Sequence, residues 1–268
     1  MIYLAQDIER RGGAQLVVAL AEHGLAVELL AHTCDIWLRD FMPIRTKSGR
    51  WISFRYQPSY LYEYPELRTD YRSRIAPQLQ LPVVYSNINL DGGNVVFSPS
   101  HTRALISERI FSENPKEKPE ALVRELEQML EAEVIVIPAL RPKDDMTGHA
   151  DGMVRFLDER TVLGNMPTGD GKLEWKIKKT LAEHGIATVD FPYYEIEEDS
   201  AEEITSAEGS YLNYLETEDC IFLPMFGSAM DREAVAAAER LFTKEVVPVL
   251  CKELAREGGC LNCISWEM

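Results

Sequence analysis

A strand–turn–strand–helix–strand pattern runs three times through the middle of this sequence, and it limits the folds open to the chain. The first copy predicts strands over Asn94 to Phe97 and Arg103 to Ser107, a helix from Lys118 to Glu131 and a strand from Glu133 to Pro138. The second predicts strands over Val154 to Leu157 and Thr161 to Gly164, a helix from Gly171 to His184 and a strand from Ala187 to Pro192. The third runs through Leu212 to Leu215, Cys220 to Pro224, a helix from Asp231 to Thr243 and Val246 to Leu250. Corresponding residues Val95, Val154 and Tyr214 lie 59 (154 − 95) and 60 (214 − 154) positions apart. No single unit can cover both faces of its own small sheet, so a fixed period of this kind marks a closed repeat architecture.

Partial copies at the two ends bring the count to about five units. Met1 to Ala5 predicts a strand, residues Gln6 to His23 a helix stopped by Gly24, and Ala26 to Leu30 a second strand. Phe41 to Arg45 and Trp51 to Tyr56 predict a hairpin, and a final strand near Ile264 is placed to close on the Met1 strand. Residues 57–80, rich in tyrosine, proline and charge, give no clear pattern. An open α/β sheet is the alternative architecture, because strands and helices alternate there too.

The unusual residues fall at one position of the repeat. Trp37-Leu38-Arg39-Asp40 leads into the first hairpin, Asp91-Gly92-Gly93-Asn94 into the second and Gly148-His149-Ala150-Asp151 into the third. Asn213 begins the next, and Cys263 follows the last helix behind Gly258-Gly259. In a ring of repeats, equivalent positions share one radius and height, so these distant residues are expected to converge near the axis. The accompanying glycines suit close backbone approach.

Each residue alone has a plain structural reading. His149 and Asp151, two apart, would share a face of an extended segment; taken alone they read first as a structural or surface pair and only then as an acid/base pair. Asp40 sits among Trp37, Leu38, Phe41 and Met42, where a carboxylate needs a partner, and Arg39 could supply it. Free cysteine is usually a small buried hydrophobe, and the Cys260–Cys263 spacing supports zinc or redox chemistry only weakly without further ligands. Together they suit a planar cation. Carboxylates can accept paired N–H bonds from a guanidinium, fixing its carbon for attack by a thiolate whose ionisation the same cation favours.

The ordered set resembles the agmatine deiminase and bacterial-type peptidylarginine deiminase family of guanidino-group-modifying enzymes. The matches are W-x-R-D-x-x-P at Trp37–Pro43, acidic-G-G-N at Asp91–Asn94, G-H-x-D at Gly148–Asp151 and G-G-x-x-x-C at Gly258–Cys263. Ser210-Tyr211-Leu212-Asn213 with Pro224 is similar to the family's S-Y-x-N region. The resemblance implies a single catalytic domain over residues 1–268, folded as a five-bladed α/β propeller of ββαβ units. It implies Cys263 as nucleophile, His149 as acid and base, and Asp40 and Asp151 as holders of the guanidinium. Trp37, Arg39, Asp91, Gly92, Asn94 and Asn213 would bind the substrate or brace the site. No metal or organic cofactor is implied. Two departures stand beside the nucleophile: Asn262 replaces the family's common histidine, and Cys260 is an extra thiol.

The implied reaction is hydrolysis of a small cationic guanidino compound, agmatine first, to N-carbamoylputrescine and ammonia. Peptidylarginine deimination is the alternative; amidino transfer and guanidinium binding without turnover follow. Asp144-Asp145 could meet a distal ammonium. A net charge of −16 argues against nucleic acid and anionic membrane, though it also serves solubility alone. Five sparse cysteines, no apolar run near the roughly 20 residues that span a bilayer and no secretion-type start suggest a reduced, cytoplasmic protein. A homodimer is compatible with this reading.

Overall fold

The computed structural model describes residues 1–140, 145–169, 171–196 and 205–268. Among them are five separate three-stranded sheets. Strand β1 (Ile2–Ala5) pairs in parallel with β2 (Val27–Leu30). Strands β3 (Ile44–Arg45), β4 (Trp51–Arg55) and β5 (Val83–Asn89) form the next sheet, antiparallel then parallel. The same order recurs in β6 (Val95–Phe97), β7 (Arg103–Ser107) and β8 (Glu133–Ile137). It recurs again in β9 (Val154–Asp158), β10 (Thr161–Asn165) and β11 (Ala187–Phe191), and in β12 (Leu215–Glu216), β13 (Cys220–Met225) and β14 (Glu245–Leu250). Strand β15 (Trp266–Glu267) then pairs antiparallel with β1. The last strand therefore supplies the first sheet with the hairpin strand that the N-terminal unit lacks. Five equivalent sheets, one split between the two ends, replace the single open sheet that was the alternative.

Helices lie between the second and third strands of the units. In Pro119–Leu130, Leu122, Leu126 and Leu130 recur at four-residue spacing and are buried. Such a row points one way on a helix, and each buried leucine contributes about 1.5–3 kcal/mol. Lys172–Glu183 and Asp231–Leu241 bury their own stripes, through Ile177 and Leu181 and through Ala234, Ala237 and Ala238. The helix expected over Gln6 to His23 is instead a turn at Ile8–Arg11 and a helix at Ala14–Glu22. Gly12 interrupts it by taking a left-handed φ of 90°, and a side chain there would also strike the Leu254 backbone. In the second unit, Tyr71–Ile75 and Ala76–Leu79 form short helical turns in place of a long helix.

Three expected strand boundaries move. Leu38–Phe41 is a helical turn, so the first hairpin starts at Ile44; the strand expected from Leu212 begins at Leu215; and the final strand begins at Trp266. Cys263 accordingly lies in a turn just ahead of β15 and not within the strand. Among the described residues, no helix is long and apolar enough to cross a membrane.

Candidate active site

The segments leading into β3, β6 and β9 each fold as one helical turn, at Leu38–Phe41, Gly92–Asn94 and Ala150–Gly152. Asn213 and Cys263 lie just ahead of β12 and β15. These five lead-ins meet. His149 places Nε2 2.9 Å from Asp91 Oδ2 and Nδ1 3.5 Å from Asp40 Oδ1. On its other side, Asp151 Oδ2 accepts from Asn262 Nδ2 at 2.6 Å and Asn213 Nδ2 at 3.3 Å, with Cys263 Sγ 3.8 Å away. His149 and Asp151 therefore serve different partners, since the segment is a turn and not the extended stretch expected. Asp40, Asp91, His149 and Asp151 are buried, and Cys263 is half-buried.

Glycine is required where these lead-ins touch. The Gly93 N–H donates to Asp40 Oδ1 at 3.1 Å, and a Cβ on Gly93 would lie 2.7 Å from both that oxygen and His149 Nδ1. Gly92 packs against the Arg39 carbonyl, and Gly259 against the Trp37 ring, which a Cβ would approach to 2.5 Å. Asn94 braces: its Oδ1 accepts from the Ser107 and Ala150 N–H groups at 2.9 and 3.2 Å, tying β7 to the His149 turn. Asn213 Oδ1 accepts from Cys263 N at 3.2 Å.

Arg39 does not pair with Asp40. Its Nη2 donates to Glu267 at 2.7 Å, its Nε to the Asn262 carbonyl at 3.3 Å and its main-chain N–H to the Cys263 carbonyl at 3.0 Å. It is absent from the cavity wall and holds the Cys263 turn from behind. Cys260 is fully buried, with its thiol facing the Ala207 carbonyl at 3.6 Å. Asp144 lies outside the described residues, and Asp145 spends Oδ1 on the Thr147 and Gly148 N–H groups of its own turn.

Tyr60 and Tyr56 escaped the sequence reading. Tyr60 donates its hydroxyl to Asp91 Oδ2 at 2.9 Å, and both tyrosines line the cavity. Burial, reinforced by the carboxylates, pushes both phenols well above their usual range, so they remain donors. The segment holding Tyr60 has no periodicity, and nothing in it marked that residue.

The cavity measures about 1540 Å³ and is lined by Trp37, Asp40, His149, Asp151, Asn213 and Cys263, among others. Asp91, Gly92, Asn94 and Arg39 stand behind this wall. Burial raises the Asp40 carboxyl to about 7, the His149 charge opposing and Asp91 reinforcing the shift. For His149, burial alone would lower the pKa, but Asp40, Asp91 and Asp151 outweigh it and hold the ring at about 10. Both ring nitrogens then donate, as an imidazolium. Burial, then Asp151 and Asp40, push the Cys263 thiol well above its ordinary value. The site thus carries negative potential toward the cavity, and a planar cation would relieve it. Among the described residues one His/Cys/Glu group brings its ligand atoms within 4.8 Å of one another, at His23, Cys220 and Glu245, and none of these three lines the cavity.

The sequence profile of the Porphyromonas-type peptidyl-arginine deiminases matches residues 2–268. The chain belongs to that family. No curated protein sequence matches it. Among solved structures, this deiminase-family chain is similar to the agmatine deiminase of C. jejuni with substrate bound, at 14% identity and a TM-score of 0.78, covering 99% of this chain and 92% of that one. The Enterococcus faecalis agmatine deiminase gives 15% identity and 0.79, with 99% and 92% covered. The N-terminal domain of a cyanobacterial arginine dihydrolase gives 12% and 0.62, with 96% and 86% covered. At these identities the likeness establishes the fold.

Proposed function

We propose that the five sheets stand as propeller blades of one catalytic domain and that the axial cavity hydrolyses a guanidino group. The observation that carries this reading is one cavity wall bearing a thiol, an imidazolium and two carboxylates, drawn from three separate lead-ins. Asp40 Oδ2 and Asp151 Oδ1 have no protein donor among the described residues, so each carboxylate would offer chiefly one oxygen to the guanidinium instead of the expected two. Trp37 would bound the site beside Gly259.

The cation would offset Asp40 and Asp151, lowering the Cys263 pKa so that its proton passes to solvent on binding. The thiolate adds to the guanidinium carbon. His149 protonates a nitrogen, the C–N bond breaks, ammonia departs and a thiouronium remains on Cys263. Neutral His149 then removes a proton from water, the hydroxide adds at the same carbon, the C–S bond breaks as the hydroxyl proton passes to the departing Cys263 sulfur, and a neutral ureido product leaves. An imidazolium held at about 10 is poised for the first proton transfer.

Agmatine is the proposed substrate, giving N-carbamoylputrescine; the fold shared with two agmatine deiminases supports it. Peptidyl-arginine is the second reading. The cavity volume favours it, since small-ligand pockets run about 300–1,000 Å³. Incubation with agmatine, arginine and an arginyl peptide, following ammonia and ureido product, ranks them. Ammonia from the peptide alone would select the second reading, and ammonia from none would refute hydrolysis.

A further inference from the structure

We infer that Asn262 is a positioning residue for the nucleophile: its side-chain amide occupies Asp151 Oδ2 and so keeps that carboxylate from holding the Cys263 thiol proton. The inference deepens the reading of Cys263 as nucleophile and rests on it. Three donors converge on that one oxygen: Asn262 Nδ2 at 2.6 Å, Asn213 Nδ2 at 3.3 Å and Cys263 Sγ at 3.8 Å. The Asn262 contact is the shortest, and hydrogen bonds to a carboxylate are the strong ones. It draws charge from the oxygen that the thiol also approaches. The thiol, the most distant of the three donors, is left with the weakest hold.

Asn262 is itself fixed. It is buried, its N–H donates to the Asn213 carbonyl at 3.1 Å, and its carbonyl accepts from Arg39 Nε at 3.3 Å and Ser265 N at 3.2 Å. Asn213 closes the arrangement, holding Cys263 N with its oxygen and Asp151 with its nitrogen. The ionisable groups around the thiol are Asp40 and Asp151 across the cavity, His149 on the same cavity wall, Arg39 behind its turn and Cys260 within it. The two carboxylates oppose thiolate formation, so whatever damps Asp151 favours the thiolate. An amide does this without ionising, whereas a histidine in its place would add a titrating group.

The test needs no substrate. In a Cys260→Ser background, the rate of Cys263 alkylation by iodoacetamide is followed against pH by peptide mass, for Asn262, Asn262→Ala, Asn262→Asp and Asn262→His. Removing one charge-assisted bond should move the Ala midpoint up by about one pH unit, a tenfold slower alkylation below both midpoints. Asn262→Asp keeps the shape but cannot donate when ionised, and should move it further. Asn262→His, which can donate, should fall closer to the parent than either. The kcat/KM profile on the turned-over guanidine should shift in the same order. Midpoints that coincide in all four proteins, or a Cys263 that resists alkylation alike in all four, would overturn the inference. Turnover surviving Cys263→Ser would instead defeat the proposed function, while the alkylation series would still report on Asn262.

Discussion

Gly93→Ala tests how closely the site tolerates displacement. The new Cβ would lie 2.7 Å from Asp40 Oδ1 and 2.7 Å from His149 Nδ1, whereas ordinary contact begins at 3.4 Å. Each partner must therefore retreat by about 0.7 Å (3.4 − 2.7), or the Gly93 turn must move by as much. Retreat is confined, because His149 is held by Asp91 at 2.9 Å and both side chains are buried. A misplacement of about 1 Å in a catalytic constellation costs on the order of 100-fold, so kcat/KM on the preferred guanidine should fall by tens- to a hundredfold. Overpacking costs about 1–3 kcal/mol, and each kcal/mol lowers Tm by about 2–4 °C in a chain of this size. The variant should thus remain folded at assay temperature. Steady-state kinetics beside a thermal melt decide it. A folded Gly93→Ala protein with parental kcat/KM would refute the argument that Asp40 and His149 work at this separation.

Four further outcomes follow from the geometry and electrostatics of the site. Cys263→Ser should abolish turnover while Cys260→Ser retains it, because only Cys263 lines the cavity; the reverse in an ammonia assay would reassign the nucleophile. Asp40→Asn should lower the His149 pKa from about 10, since the Asp40 charge, with Asp91, holds it up, and an unchanged ring titration by NMR would contradict this. The folded value lies above the reference 6.5, so His149's stabilising contribution is full below about 6.5 and is lost as pH rises through about 10; Asp40→Asn should diminish that loss in urea melts across the same window. Glu267→Gln should weaken the Arg39 clasp on the Cys263 turn, lowering kcat several-fold at little cost in Tm, because the Glu267 end of the pair is exposed. Unaltered kcat would show that the turn needs no such support.

The repeat made the fold legible because each unit's local pattern, two short strands, a helix with apolar residues every four positions and a third strand, is written within about sixty residues. Placing Asp40, Asp91, His149, Asp151, Asn213 and Cys263 at one position of that repeat was enough to foresee that they meet. Pairing was not legible. Nothing in Trp37-Leu38-Arg39-Asp40 says that the guanidinium reaches past its neighbour to Glu267, 228 residues away. Nor could spacing show that His149 turns toward Asp40 and Asp91 while Asp151 turns toward Asn262, because a single helical turn replaces the extended stretch assumed. Tyr60 reached the site from an aperiodic segment, where neither helix nor strand period orders the residues. Asn262, noticed as a departure, gained a physical role only when its 2.6 Å contact with Asp151 was seen.

The most direct test of the central claim is the mass of the Cys263 peptide after acid quench during turnover of the preferred guanidine. A thiouronium on Cys263, equal in mass to the substrate less ammonia and lost again when substrate is exhausted, is the predicted result. Rapid ammonia release with no adduct on Cys263, or an adduct carried by Cys260 instead, would contradict the account.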